Sequence, residues 1–236
     1  MRTEESWHSV EELGPDEGVR NSIALTFYIK GQEYRSAPPA RDASASDRPQ
    51  PDEDMSAALR TLAATFTRGD DISTLFCEGA VGVELGVATG ALSERILHYP
   101  HIGHLFGIDS WTGAAGQGLD HYREAIARLS AHRDRTTLMR LHFAEALDLF
   151  GDQSLDFIYV NGYAHDGELS AQLLRTWYPK LRPGGIIAGD EYSRCWPLVV
   201  AAVDDFATAN GLERHVIDCR EDGGHQASTA WFAMKP

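Results

Sequence analysis

The residues best placed to do chemistry sit where apolar runs end. One run, with Val81, Val83 and Leu85, carries a single acid, Glu84, and breaks into Gly86-Val87-Ala88-Thr89-Gly90. Past that turn, residues 91–97 carry apolar side chains at helical spacing. Strand, glycine turn and helix together make a unit that brings backbone close to a nucleotide-like ligand, because glycine leaves no Cβ in the way. The next run, residues 104–108, ends in Asp109. An acid at the tip of a second strand is placed to accept hydrogen bonds from a ribose diol.

The turn reads Gly86-x-x-x-Gly90, short of the Gly-x-Gly-x-x-Gly of dinucleotide sites. Glu84 stands where such sites carry an apolar residue, and an acid there suits a ligand bringing positive charge. The ammonium or sulfonium of S-adenosylmethionine is such a ligand. Gly86, Thr89, Gly90, Asp109, Ser110 and Trp111 join Glu84 as cofactor-binding candidates. For Trp111 two roles stay open, stacking on a ligand ring or capping the core.

The elements that must position these groups follow one another at short range. Asp52-Glu53-Asp54 precede a helical pattern with Leu59, Leu62, Ala63 and Phe66 on one face. Strand one falls at about 80–85, helix one at 91–98, strand two at 104–109, helix two at 120–131 and strand three at 137–142. Beyond strand three, Ala144 and Glu145 are candidates for contacts to an adenine. Strand four, from Leu155, ends at Asn161 and throws a loop with Tyr163, His165 and Asp166 over the sheet edge. A helix over 168–178 leads to strand five at 186–189, which ends in Asp190-Glu191. A helix over 197–210 and two late strands, expected as an antiparallel hairpin at one sheet edge, complete the chain. This alternation predicts an α/β fold, a doubly wound, mostly parallel seven-stranded sheet.

Residues 1–54 read as an N-terminal extension ahead of a domain over 55–236. The extension is acidic at its start, holds one strand-like piece at 23–29, and then runs through a Pro, Ala and Ser-rich stretch with little to bury. It is either a flexible tail or a substrate lid carrying Trp7, Phe27, Tyr28 and Tyr34. The net charge of −14 argues against nucleic acid and against an anionic membrane surface. Cys77, Cys195 and Cys219 are odd in number and lack metal-type spacing, as expected of reduced thiols. With no signal-peptide pattern and no bilayer-length apolar run, a soluble cytoplasmic protein is expected.

Glu84-Leu85-Gly86-Val87-Ala88-Thr89-Gly90, Asp109 and Leu181-Arg182-Pro183-Gly184-Gly185, with the αβ alternation, resemble the class I S-adenosylmethionine-dependent methyltransferases. The blocks 159–165 and 177–192 look like the small-molecule branch that includes macrocin O-methyltransferases and cephalosporin-cluster methyltransferases. The resemblance implies methyl transfer to a hydroxyl of a small, natural-product-like molecule, with homo-oligomers common among such enzymes. It also implies a magnesium ion held at the ends of strands four and five, here by Asn161, Asp190 and Glu191. That branch usually has Asp where this chain has Asn161, so one negative charge is lost. His165 is the expected general base, against a plainer reading as a loop histidine bonded to backbone. Three rivals remain at this point: transfer to nitrogen or carbon without metal, a non-catalytic cofactor-binding protein, and a nicotinamide-dependent oxidoreductase.

Overall fold

The computed structural model describes residues 27–29, 32–34, 53–112, 118–161, 167–219 and 229–236. Two short strands, β1 (Phe27–Ile29) and β2 (Gln32–Tyr34), pair antiparallel with Phe27 opposite Tyr34. The other aromatic of the expected lid, Trp7, and the tail and linker around these strands lie outside the described residues.

From α1 (Glu53–Ala63) onward the chain alternates as expected. The strands are β3 (Ala80–Leu85), β4 (Ile102–Asp109), β5 (Thr136–Arg140), β6 (Leu155–Val160), β7 (Leu181–Gly189), β8 (Arg214–Asp218) and β9 (Thr229–Met234). Between them lie α2 (Ala91–Leu97), α3 (Leu119–Arg128), α4 (Phe143–Ala146), α5 (Gly167–Trp177) and α6 (Pro197–Ala209). The seven strands β3–β9 form one sheet in the order β5-β4-β3-β6-β7-β9-β8. Neighbours from β5 to β7 are parallel, and β9 runs antiparallel to both β7 and β8. The chain steps outward from β3 through β4 to β5, then returns to place β6 on the other side of β3. The carboxyl ends of β3 and β6 therefore flank a topological switch point, where ligands of open α/β sheets bind.

Each sheet face carries its own apolar core. Val83, Leu85, Ile108, Ile158 and Ile187 pack with residues of α4, α5 and α6, while Leu105, Phe157, Ile186 and Ala188 pack with Leu92, Ile96 and Leu97 of α2. The late strands pair as the expected antiparallel hairpin at one sheet edge, with β9 inside and β8 outermost. The reason is burial: Ala230, Trp231, Phe232 and Ala233 are all buried, so β9 needs cover on both faces, whereas β8 alternates buried and exposed residues. On α1 the expected apolar face is only partly used. Ala63 is buried and Phe66 meets Phe232, but Leu62 is exposed. A 3-10 turn, Gly69–Leu75, has no counterpart in the sequence reading. Among the described residues no helix is long and apolar enough to cross a membrane.

Candidate active site

Strand alternation collects the acids on one face of the sheet. Glu84 lies opposite Gly107 on β4 and opposite Tyr159 on β6, and Tyr159 lies opposite Ala188 on β7. Asp109, Asn161 and Asp190 each follow one of those partners by two positions, so they share the face of Glu84 at its carboxyl edge. That is the face covered by α2 and the Gly69–Leu75 turn.

The glycine turn is shaped by what surrounds it. Gly86 has φ +95°, and a Cβ there would lie 1.8 Å from the Asn161 carbonyl oxygen, so only glycine fits. Ala88 (φ 49°) and Trp111 (φ 44°) also adopt left-handed backbone, which costs an L-residue energy unless its neighbours hold it there. Asp109 does the holding. Its buried carboxylate accepts from the Ala88 N–H through Oδ2 and from the Trp111 N–H through Oδ1, each at 2.9 Å. The Trp111 indole N–H donates to the Ala88 carbonyl at 2.8 Å, and its ring lies 4.6 Å from that of Tyr122. At 1 % exposure Trp111 packs among Val87, Tyr122, Ala125 and Leu138, so in this structure it has the core-capping role of the two left open. Gly90 leads into α2, and the Thr89 carbonyl accepts from Arg128 Nε at 3.1 Å. The Ser110 hydroxyl lies 3.2 Å from that of Thr112.

Glu84, the acid expected to suit a positively charged ligand, has a fully buried side chain. The Ser93 hydroxyl donates to Oε2, and the Asn161 amide donates to Oε1 at 3.1 Å. Burial pushes the Glu84 carboxyl up to about 7, and the two hydrogen bonds offset only part of that rise. Asp190 is pushed up to about 6, again mainly by burial, while the Tyr159 hydroxyl donating to Oδ1 at 2.7 Å and the charge of Arg95 act the other way. The 3-10 turn closes over this pair. A Cβ on Gly69 would lie 2.4 Å from the Tyr159 hydroxyl and 3.0 Å from Asp190 Oδ1. Next to it, Asp70 Oδ1 accepts from Arg68 Nε at 3.1 Å and from Arg95 Nε at 2.9 Å.

Ser93, Tyr159, Gly69, Asp70 and Arg95 were therefore missed. Alternation back from Asn161 would have found Tyr159, and the first turn of α2 after the glycine turn would have found Ser93. The 69–75 segment shows neither helical nor alternating spacing and offered no signal.

The residues expected to hold magnesium are Asn161, Asp190 and Glu191. Among the described residues no group of three or more His, Cys, Asp or Glu side chains converges as a metal site. Asn161 turns its amide nitrogen to Glu84, and one Asp190 oxygen is held by Tyr159. Glu191 follows in left-handed backbone at φ 64°. A neutral amide in place of a carboxylate and one engaged Asp190 oxygen make this a poor donor set for a divalent cation. Ala144 and Glu145 lie exposed on α4 just past β5. The Glu145 carboxylate accepts from the His142 N–H at 2.8 Å, so it caps its own helix. His165 and the other residues of 162–166 lie outside the described residues.

Residues 80–192, slightly less than half of the chain, match a family model described as a methyltransferase domain. The segment spans the glycine turn, Asp109, Asn161 and Asp190. An uncharacterised protein of Sinorhizobium fredii is 32% identical over 88 residues, which is 35% of this chain and 9% of that protein. An S-adenosylmethionine-dependent O-methyltransferase from Thermotoga maritima superposes with TM-score 0.56 at 13% identity, over 71% of this chain and 64% of that one. The N-methyltransferase NodS from Bradyrhizobium japonicum gives TM-score 0.52 at 17% identity, over 79% of this chain and 99% of that one. At such identities the structures share a fold, and that fold serves oxygen and nitrogen acceptors alike.

Proposed function

We propose that this protein, an S-adenosylmethionine-dependent methyltransferase by its fold and its methyltransferase-domain match, methylates a hydroxyl of a small, natural-product-like molecule. The observation that carries the cofactor assignment is the joined pair of loops at the switch point. Gly86 lets the backbone approach Asn161, and Asp109 ties Ala88 to Trp111 beside the crevice. Each Asp109 oxygen keeps a second lone pair, which leaves acceptor capacity for a ribose hydroxyl. Glu84, Gly86, Thr89, Gly90, Ser110 and Asn161 are the remaining candidates around the cofactor, with Ala144 and Glu145 toward the adenine.

Methyl transfer from a sulfonium is an in-line displacement, and its main demand on the protein is to align acceptor and methyl in a dry site. A hydroxyl acceptor must also lose its proton. His165 is proposed as the general base, on the loop that follows Asn161. The resemblance of 159–165 and 177–192 to small-molecule O-methyltransferases supports this acceptor class, and the net charge of −14 disfavours nucleic acid. A second reading, transfer to nitrogen, draws support from the poor fit of the donors to magnesium and from the NodS likeness.

Calorimetric titration with S-adenosylhomocysteine tests the cofactor claim. Saturable binding in the wild type, lost in Asp109→Ala, is the expected result; no binding in the wild type sinks the reading. For the base, His165→Ala should cut turnover by about 10²–10⁴-fold while leaving S-adenosylhomocysteine affinity unchanged.

A further inference from the structure

We propose that Asn161 is a positioning residue, a neutral clasp that holds the glycine turn ready for its cofactor, and that this edge of the site works without a divalent cation. The proposal rests on the cofactor reading above and adds how the turn is held.

Three contacts reach consecutive residues at the exit of β3. The Asn161 side-chain amide donates to Glu84 Oε1 at 3.1 Å, and its backbone N–H donates to the Leu85 carbonyl at 2.8 Å. Its carbonyl oxygen fills the space that a Gly86 side chain would need. One residue thus fixes the last two positions of the strand and the first of the turn.

The chemistry of the neighbours explains why the clasp is an amide. Glu84 is buried and can take two donors, Ser93 and Asn161. An ionised carboxylate accepts hydrogen bonds and cannot donate them. A carboxylate at 161 would set acceptor against acceptor wherever Glu84 is ionised, and the buried pair would have to retain a proton between them. On the same face, Arg95 is paired to Asp70 at 2.9 Å. With its amide nitrogen donated to Glu84, Asn161 has only a neutral amide oxygen left to offer a cation.

The full-length protein is titrated with MgCl2 alone, and with S-adenosylhomocysteine in EDTA or in excess MgCl2. Wild type should give no saturable magnesium heat, and its S-adenosylhomocysteine affinity should agree within about twofold between the two conditions. Asn161→Asp should weaken that affinity by roughly tenfold or more, with no recovery in magnesium. Adding Glu84→Gln to Asn161→Asp exchanges donor and acceptor across the same contact and should restore most of the affinity. A purely volumetric role for Asn161 predicts no such rescue. Saturable magnesium binding by wild type, or affinity that depends on magnesium, overturns the cation-free part. Undiminished affinity in Asn161→Asp, or failure of the double variant to recover, overturns the clasp. Should wild type bind no S-adenosylhomocysteine in either condition, the cofactor reading fails, and the titration with MgCl2 alone still decides the cation question.

Discussion

Two buried acids hold the carboxyl edge of this sheet by opposite means. On the β4 side, Asp109 accepts only from backbone N–H groups among the contacts described, those of Ala88 and Trp111. On the β6 side, Glu84 accepts only from side chains, those of Ser93 and Asn161. An acid bound by backbone depends on the path of two loops, and many side chains on those loops would leave it satisfied. An acid bound by side chains depends on two specific residues, one of them 77 positions away. The difference teaches where substitution should be tolerated. The β4 side should respond to changes in backbone conformation, and the β6 side to changes in hydrogen-bonding chemistry.

The two sides meet at Gly86, so the harshest test is there. Its N–H donates to the Ile108 carbonyl of β4 at 2.9 Å, while the space over its Cα is taken by Asn161 at the end of β6. Gly86→Ala combines left-handed backbone with a backbone overlap that no rotamer relieves, and should cost about 3 kcal/mol or more. The measurement is urea unfolding with S-adenosylhomocysteine calorimetry, and binding should be abolished. Gly118→Ala is the matched control. Its φ is −112° and a Cβ there meets nothing within 4 Å, so its stability should change by less than about 0.5 kcal/mol. A mild Gly86→Ala would mean that the β6 end yields, and that the two sides are less tightly joined than described.

Charge separates the two sides next. Glu84 rises from an ordinary 4.5 to about 7 on folding, so the folded state keeps a proton that the unfolded chain releases. The sign follows: its burial costs nothing below about pH 4.5, costs progressively more up to about pH 7, and is constant above. The full penalty is on the order of 3 kcal/mol. Glu84→Gln removes the titration and still offers an acceptor to Asn161. Its stability relative to wild type should therefore improve between pH 5 and pH 8, as read by urea unfolding at both. Asp190, raised from 3.8 to about 6, has the same sign and should leave a smaller slope in the variant. An identical difference at the two pH values would remove the claim that Glu84 is held by side chains in a poorly solvated site.

Much of this was legible in sequence, and the limits have a physical cause. The strand Ala80–Leu85 and the strand end at Asp109 could be read because apolar runs broken by glycine or acid leave few alternatives. The edge hairpin was legible, but which of its strands lies inside was not, since a burial pattern says a strand needs cover without naming its neighbour. Gly86 and Asp109 were identified as site positions, yet their partners were not. Which amide reaches Asp109 depends on the φ of Ala88. Which way the Asn161 amide points depends on Glu84, distant in sequence and adjacent only through strand register. The magnesium expectation has the same limit: a list of oxygen-bearing residues does not reveal which of their atoms are already engaged.

The gentlest test returns to the β4 side. Trp111→Phe keeps a ring against Tyr122 and removes the indole N–H that reaches the Ala88 carbonyl. The backbone bond from Trp111 N–H to Asp109 remains, so the left-handed conformation at 111 keeps its main restraint. The loss should be about 1 kcal/mol, one hydrogen bond plus a small packing defect. S-adenosylhomocysteine affinity should fall by less than about tenfold, because the backbone contacts that shape the turn survive. Melting temperature and calorimetry on the same preparation read both quantities. A loss comparable to that of Gly86→Ala would show that the β4 side also hangs on a side chain, and the contrast between the two acids would then be one of degree. A loss near the expected value, beside a large effect at Asn161→Asp, would confine the chemically demanding half of this edge to β6.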